Sequence, residues 1–174
     1  MITPLIMLAI LAVPLLILWT LRLRGLSVDL GIGGVIGLVL TFLFTASGHF
    51  VQTEAMAAML PAFVPARVPL VYLTGLLEIA LALGIALPAT RRLAGLAAIA
   101  VLVLFFPANV YAAFAHVGMG GHAWGPVYLL IRAPLQALLI AYAWWFAVRP
   151  AAVSSATNNA ALAPPLEGGY GARP

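Results

Sequence analysis

The sequence predicts an all-α, polytopic membrane protein. Three observations carry that expectation. Hydrophobic residues make up 65% of the 174 positions and charged residues only 7%. Five apolar segments each run for about 20 residues, the length a helix needs to cross roughly 30 Å of hydrocarbon. No alternating strand pattern competes with them, and in lipid a spanning backbone must satisfy its own polar groups, which makes helices the default. A soluble domain carries about 25% charged residues, so eight Arg and four acidic residues cannot furnish a water-facing surface.

The segments fall at about 2–21, 30–50, 68–88, 93–114 and 127–148. The first has no positive n-region and no small-residue cleavage site, and "RLRG" follows it, so it reads as a retained span and not a signal peptide. Its Pro14 implies a kink. The second span carries Gly33 and Gly37 and the third Ala80 and Gly84, both small-xxx-small spacings that let helix backbones approach. Pro107 in the fourth span and Pro134 in the fifth free the carbonyls of Val103 and Leu130, so both helices can bend there. The connection 51–67, "VQTEAMAAMLPAFVPAR", holds a short amphipathic stretch and is expected to form a lid or interfacial helix. Residues 115–126, "AHVGMGGHAWGP", are Gly-rich and expected to be flexible. From 150 onward the composition is of low complexity, which predicts a disordered tail. Trp19, Trp124, Trp144 and Trp145 sit near span ends, where indoles anchor at the interface.

Charge gives direction. Arg22 and Arg24 follow span one, Arg91 and Arg92 follow span three, and Arg149 follows span five, so all five share one side. The positive-inside rule places that side in the cytoplasm, with the N-terminus outside and the C-terminus inside a bacterial plasma membrane. The absence of Cys excludes disulfides, thiolate metal sites and thiol exchange. No basic run is long enough to follow a nucleic-acid backbone. There is also no phosphate-cradling Gly loop after a strand, no Ser nucleophile elbow and no carboxylate pair for hydrolysis.

Depth, counted at 1.5 Å per residue, shows where the polar side chains gather. Glu78 lies near the middle of span three, with Thr74 one turn away on the same face. Arg132 and Gln136, at i and i+4, share a face in the outer part of span five. Asn109 is near the outer end of span four and His49 near the outer end of span two. The outer half collects them all, as a water-accessible pocket opening outward would. On the insertion scale a central acidic residue costs about 3 kcal/mol, which the Leu, Ile and Val neighbours of Glu78 repay with about 3 to 6. The span can insert, but nothing local stabilises the charge. The leading expectation is a Glu78–Arg132 pair; the alternative is a protonated Glu78 bonded to Gln136, Asn109 or Thr74. Taken singly, each residue has a bland explanation: an ion pair can merely fix helix register, Arg132 can snorkel outward, His49 can be interfacial, and Asn109 can hold helices together. Their convergence favours a binding or proton-relay site, because ionisable residues within a membrane are functional by default.

In order along the chain, "ASGHF" (46–50), "MLPAFVP" (59–65), "YLTGLLEIALALGIALPATRRLAG" (72–95), "FPANVYAA" (106–113) and "IRAPLQ" (131–136) resemble the DoxX-like family of small bacterial membrane proteins. The resemblance covers roughly residues 30–148. It implies a four-helix transmembrane bundle with span one as an additional N-terminal helix, and it marks His49, Glu78, Asn109, Arg132 and Gln136 as the family's polar positions. Members of that family are associated with redox systems, including thiosulfate oxidation with quinone as acceptor and oxidative-stress complexes.

Three functions follow as expectations. The first is an accessory membrane subunit that binds a quinone-like or other amphipathic molecule, with Arg132, Gln136 and Asn109 holding oxygens and Glu78 or His49 relaying protons. His49, His116 and His122 all lie at the outer margin and not paired at mid-depth as a membrane haem requires, so electron transfer would need a redox partner protein or a bound cofactor. The second is a non-enzymatic scaffold or assembly factor, alone or as a homo-oligomer, in which the polar cluster is a brace. The third is a transporter or lipid-modifying enzyme, disfavoured for a transporter by the lack of visible inverted repeats. A three-His metal site is weaker still, because two of its ligands would sit in the Gly-rich loop.

Overall fold

The computed structural model describes residues 2–149, and its described residues contain helices and no strand. The elements are α1 (Ile2–Leu23), α2 (Leu30–Val51), α3 (Thr53–Ala57), α4 (Arg67–Ala86), α5 (Arg91–Phe114), a 3-10 segment (His122–Tyr128), α6 (Leu129–Ala143) and a π-helical turn (Trp144–Val148). Five stretches are long and apolar enough to cross a membrane: α1, α2, α4, α5 and the run His122–Val148. The expected tail from 150 lies outside the described residues.

The helix ends show why the chain turns where it does. α1 closes with Gly25 at φ +85°, Leu26 N–H donating to the Leu21 carbonyl at 3.2 Å and Gly25 N–H to Arg22 at 3.0 Å. Glycine is the residue that adopts this left-handed cap at no steric cost. α2 opens with Asp29, whose carboxylate accepts from Gly31 N–H at 2.7 Å, satisfying one orphan donor of the first turn. At the other helix end, the last carbonyls of α4 are taken by side chains from the next element. Thr90 donates to Gly84 at 2.8 Å, and Arg91 donates to Ile85 at 2.9 Å and Ala86 at 3.1 Å. A membrane helix cannot leave those carbonyls bare near lipid.

Helices alternate in direction, so one end of the bundle carries the α1–α2 and α4–α5 connections with Arg22, Arg24, Arg91 and Arg92. We call this the arginine end. Small residues bring backbones together here. A methyl group at Gly33 would lie 2.9 Å from Leu15 Cα, and one at Gly95 would lie 2.8 Å from Ala147 Cβ. Gly34 is covered by the Phe146 ring, and Gly37 by the Leu11 carbonyl. Since lipid is as apolar as leucine, this close van der Waals fit, and not hydrophobic burial, holds such helices together. Leu38, Ala82, Ile85, Ala98, Ala143 and Ala147 fill the space between them with essentially no exposure.

One expectation needs correction. The Ala80–Gly84 spacing is a helix contact at one of its two residues: a methyl at Gly84 would lie 2.8 Å from Ala94 Cβ of α5, but Ala80 is exposed. The close approach of α4 to α2 is made by Gly75, where a methyl would lie 2.7 Å from His49 Cβ. Sequence spacing identifies small residues but not which face they present. Residues 115–126 pack onto the bundle. They fold down so that His122 and Tyr128 are buried, their rings edge to face at 4.8 Å, while left-handed Gly121 leaves room for the Tyr128 ring. α1, for its part, is joined to the bundle: Tyr142 of α6 donates to the Leu11 carbonyl at 2.9 Å.

Candidate functional site

At the end opposite the arginines the helices part, leaving a cavity of about 580 Å³. All five long segments contribute to its walls. α3 and the chain that follows supply Met56, Met59 and Leu60, and the 3-10 segment with its approach supplies Met119, His122 and Tyr128. Glu78, His49, Asn109, Arg132 and Gln136, the five residues singled out from depth along the spans, all line this one space. Thr74 joins them.

His49 and Glu78 form the first polar unit. Glu78 projects from the middle of α4 and is 6% exposed. Its Oε1 lies 3.6 Å from His49 Nε2. The imidazole is aimed from behind: Nδ1 is 3.0 Å from the Val71 carbonyl and 3.0 Å from the Thr74 hydroxyl. With Nδ1–H donating to the carbonyl, Nε2 is left to face the carboxylate. The absence of a side chain at Gly75 is what lets α2 approach closely enough for this contact. The other carboxylate oxygen, Oε2, is buried without a hydrogen-bond partner.

Asn109, Arg132 and Gln136 form the second. Asn109 Nδ2 donates to Phe105 at 2.9 Å, which turns its Oδ1 toward Arg132, and Arg132 Nε donates to that oxygen at 2.8 Å. Gln136 Nε2 donates to the Leu102 carbonyl at 2.7 Å, tying α6 to α5 a turn below. Both bonds fall beside Pro107 and Pro134, the prolines expected to bend these helices.

The expected Glu78–Arg132 pair does not form as a direct ion pair among the described residues. Arg132 lies within electrostatic reach of Glu78 and Tyr128, yet among the described residues the ion-pair partner of Glu78 is His49. The reason is geometric. Gly75 brings α2 against the Glu78 face of α4, whereas Arg132 is held on α5 by Asn109. One charge is matched across α2–α4, the other is tethered across α5–α6, and the cavity lies between.

Two contributors to the cavity were not expected there from sequence, where His122 enters only as a possible metal ligand. His122 is buried; its Nδ1 is 2.7 Å from the Met119 carbonyl and its Nε2 has no hydrogen-bond partner. Its position after Gly120 and Gly121 in a Gly-rich connection suggests an exposed loop, and no periodicity could have revealed its burial. The methionines are the second. Four of the chain's five, Met7, Met56, Met59 and Met119, line the cavity. The spacing of Met56 and Met59 beside a short helix was the available signal. A three-His metal centre does not form: among the described residues no group of three His, Cys, Asp or Glu is placed to hold a metal ion, and His116 is exposed beside Gly125.

The chain belongs to the family described as Domain of unknown function (DUF8561), whose model matches residues 38–147. The match takes in all five polar positions and leaves α1 outside. No curated protein and no solved structure matches the chain.

Proposed function

We propose that this protein is a DoxX-like component of the bacterial plasma membrane that binds a small amphipathic molecule, quinone-like in shape, as an accessory subunit of a redox or oxidative-stress system. The observation that carries the binding reading is convergence. Five polar side chains from four different helices turn into one apolar-walled cavity, the arrangement expected of a small-molecule site. In this reading the Arg132–Asn109 unit holds a ligand oxygen, and the His49–Glu78 contact passes a proton to or from it. The redox assignment rests on the DoxX-like resemblance. The orientation rests on the arginines, which put the cavity end outside and the arginine end in the cytoplasm.

A photoactivatable hydrophobic quinone analogue, added to membranes holding the full chain, tests the proposal. Labelling is expected at cavity residues of α2, α5 or α6 and is expected to fall with Glu78→Gln. In cells lacking the chromosomal copy, the same variant should fail to restore tolerance to an oxidant. Labels spread over lipid-facing positions, with Glu78→Gln fully active, would leave the cluster a structural brace and favour the scaffold reading.

A further inference from the structure

The charges in the cavity do not cancel in direct contact. Glu78 is engaged by His49 at 3.6 Å, and Arg132 is held through Nε by a neutral amide, Asn109, at 2.8 Å. Among the described residues, the two terminal nitrogens of Arg132 donate to no protein acceptor, and no carboxylate comes within the 4.0 Å of an ion pair. Asn109 engages the guanidinium through Nε alone, which leaves the fork of terminal N–H groups without a protein acceptor on a residue that lines the cavity. A guanidinium in a membrane-spanning segment is costly without a counter-charge. Its free edge matches the paired oxygens of a carboxylate or phosphate.

The walls specify the rest of the ligand. Leu104 lines the cavity and is also 72% exposed, so the space reaches the lipid-facing surface of the bundle beside α5. Phe44 of α2 and Ala108 of α5 line the same cavity. Methionine side chains, unbranched and polarizable, adapt to a flexible chain, and four of them line this space.

We propose that the cavity binds an amphiphile with an anionic head, the carboxylate or phosphate seated on Arg132 and the hydrocarbon chain leaving toward the bilayer past Leu104. This rests on the reading of the cavity as a small-molecule site and narrows it to a charge class that a neutral quinone does not have. A free anion shares the head chemistry, so the test separates the two sources.

Full-length protein in amphipol is examined by native mass spectrometry with three probes: oleate, oleyl alcohol and inorganic phosphate. Oleate should be retained at one per chain and oleyl alcohol about ten-fold more weakly, as expected for loss of one charge-assisted contact. Arg132→Gln should bring oleate down to the level of the alcohol, and Arg132→Lys should restore much of the difference. Asn109→Leu, which leaves the charge but removes its tether, provides a second variant should Arg132→Gln fail to fold. Equal retention of oleate and oleyl alcohol, unaffected by Arg132→Gln, would overturn the anionic assignment while leaving the cavity a binding site. Retention of phosphate that oleate displaces, with no gain from the chain, would overturn the lipid source. Failure to retain either amphiphile overturns this proposal, and photolabelling by the quinone analogue then decides the broader reading separately.

Discussion

The contact between His49 and Glu78 sets the character of the cavity, and its strength can be worked from the structure. Two unit charges 3.6 Å apart attract by about 4.6 kcal/mol at an effective dielectric of about 20. Screening and side-chain relaxation reduce this, so a coupling of about 2 to 3 kcal/mol is expected, within the range for groups in direct contact. A neutral hydrogen bond would give about 1 kcal/mol. The perturbation is a double-mutant cycle: His49→Gln, Glu78→Gln and both together. The assay is reversible unfolding in mixed micelles at increasing mole fraction of SDS, followed by far-UV circular dichroism. Each single variant should lose about 3 kcal/mol, because a buried partner is left unmatched. The double variant should lose clearly less than the sum. A coupling under about 0.5 kcal/mol, the scatter of independent sites, would refute the pairing and with it the account of why Glu78 and Arg132 are kept apart.

Gly75→Val should separate α2 from α4, since even a methyl there meets His49 Cβ at 2.7 Å. The same unfolding assay should register a loss of about 1 to 3 kcal/mol; no change would mean the helices are not in register as described. Tyr142→Phe removes the bond to Leu11 and should cost about 1 kcal/mol, with faster proteolysis of the α1–α2 connection as the local readout. Because the chain has no Cys, single cysteines report topology cleanly. Ala58→Cys should react with an impermeant maleimide from outside the cell and Arg24→Cys only after permeabilisation; the reverse pattern would invert the proposed orientation.

Much of this protein is legible from its residues alone, for a physical reason. A hydrocarbon solvent tolerates one kind of backbone, so the five apolar runs from 2–21 to 127–148 could only be helices, and their lengths followed from the thickness to be crossed. The same solvent makes a buried Glu, Arg, Asn, Gln or His expensive. That is why depth along the spans singled out Glu78, Arg132, Asn109, Gln136 and His49 together, and why they share a cavity. Which of them touch was beyond that reasoning. Sequence spacing measures distance along a helix, whereas contacts between helices depend on rotation and on how closely two axes approach. Gly75 allows α2 to reach α4, and so His49, not Arg132, meets Glu78. His122 is buried because Gly121 bends a loop beneath Tyr128, and Ala80 is exposed because its face of α4 turns outward. The lipid dictated the elements and the cost of each polar group; only the packed bundle decided the partners, because complementarity of shape is a property of pairs of surfaces and is written in neither one alone.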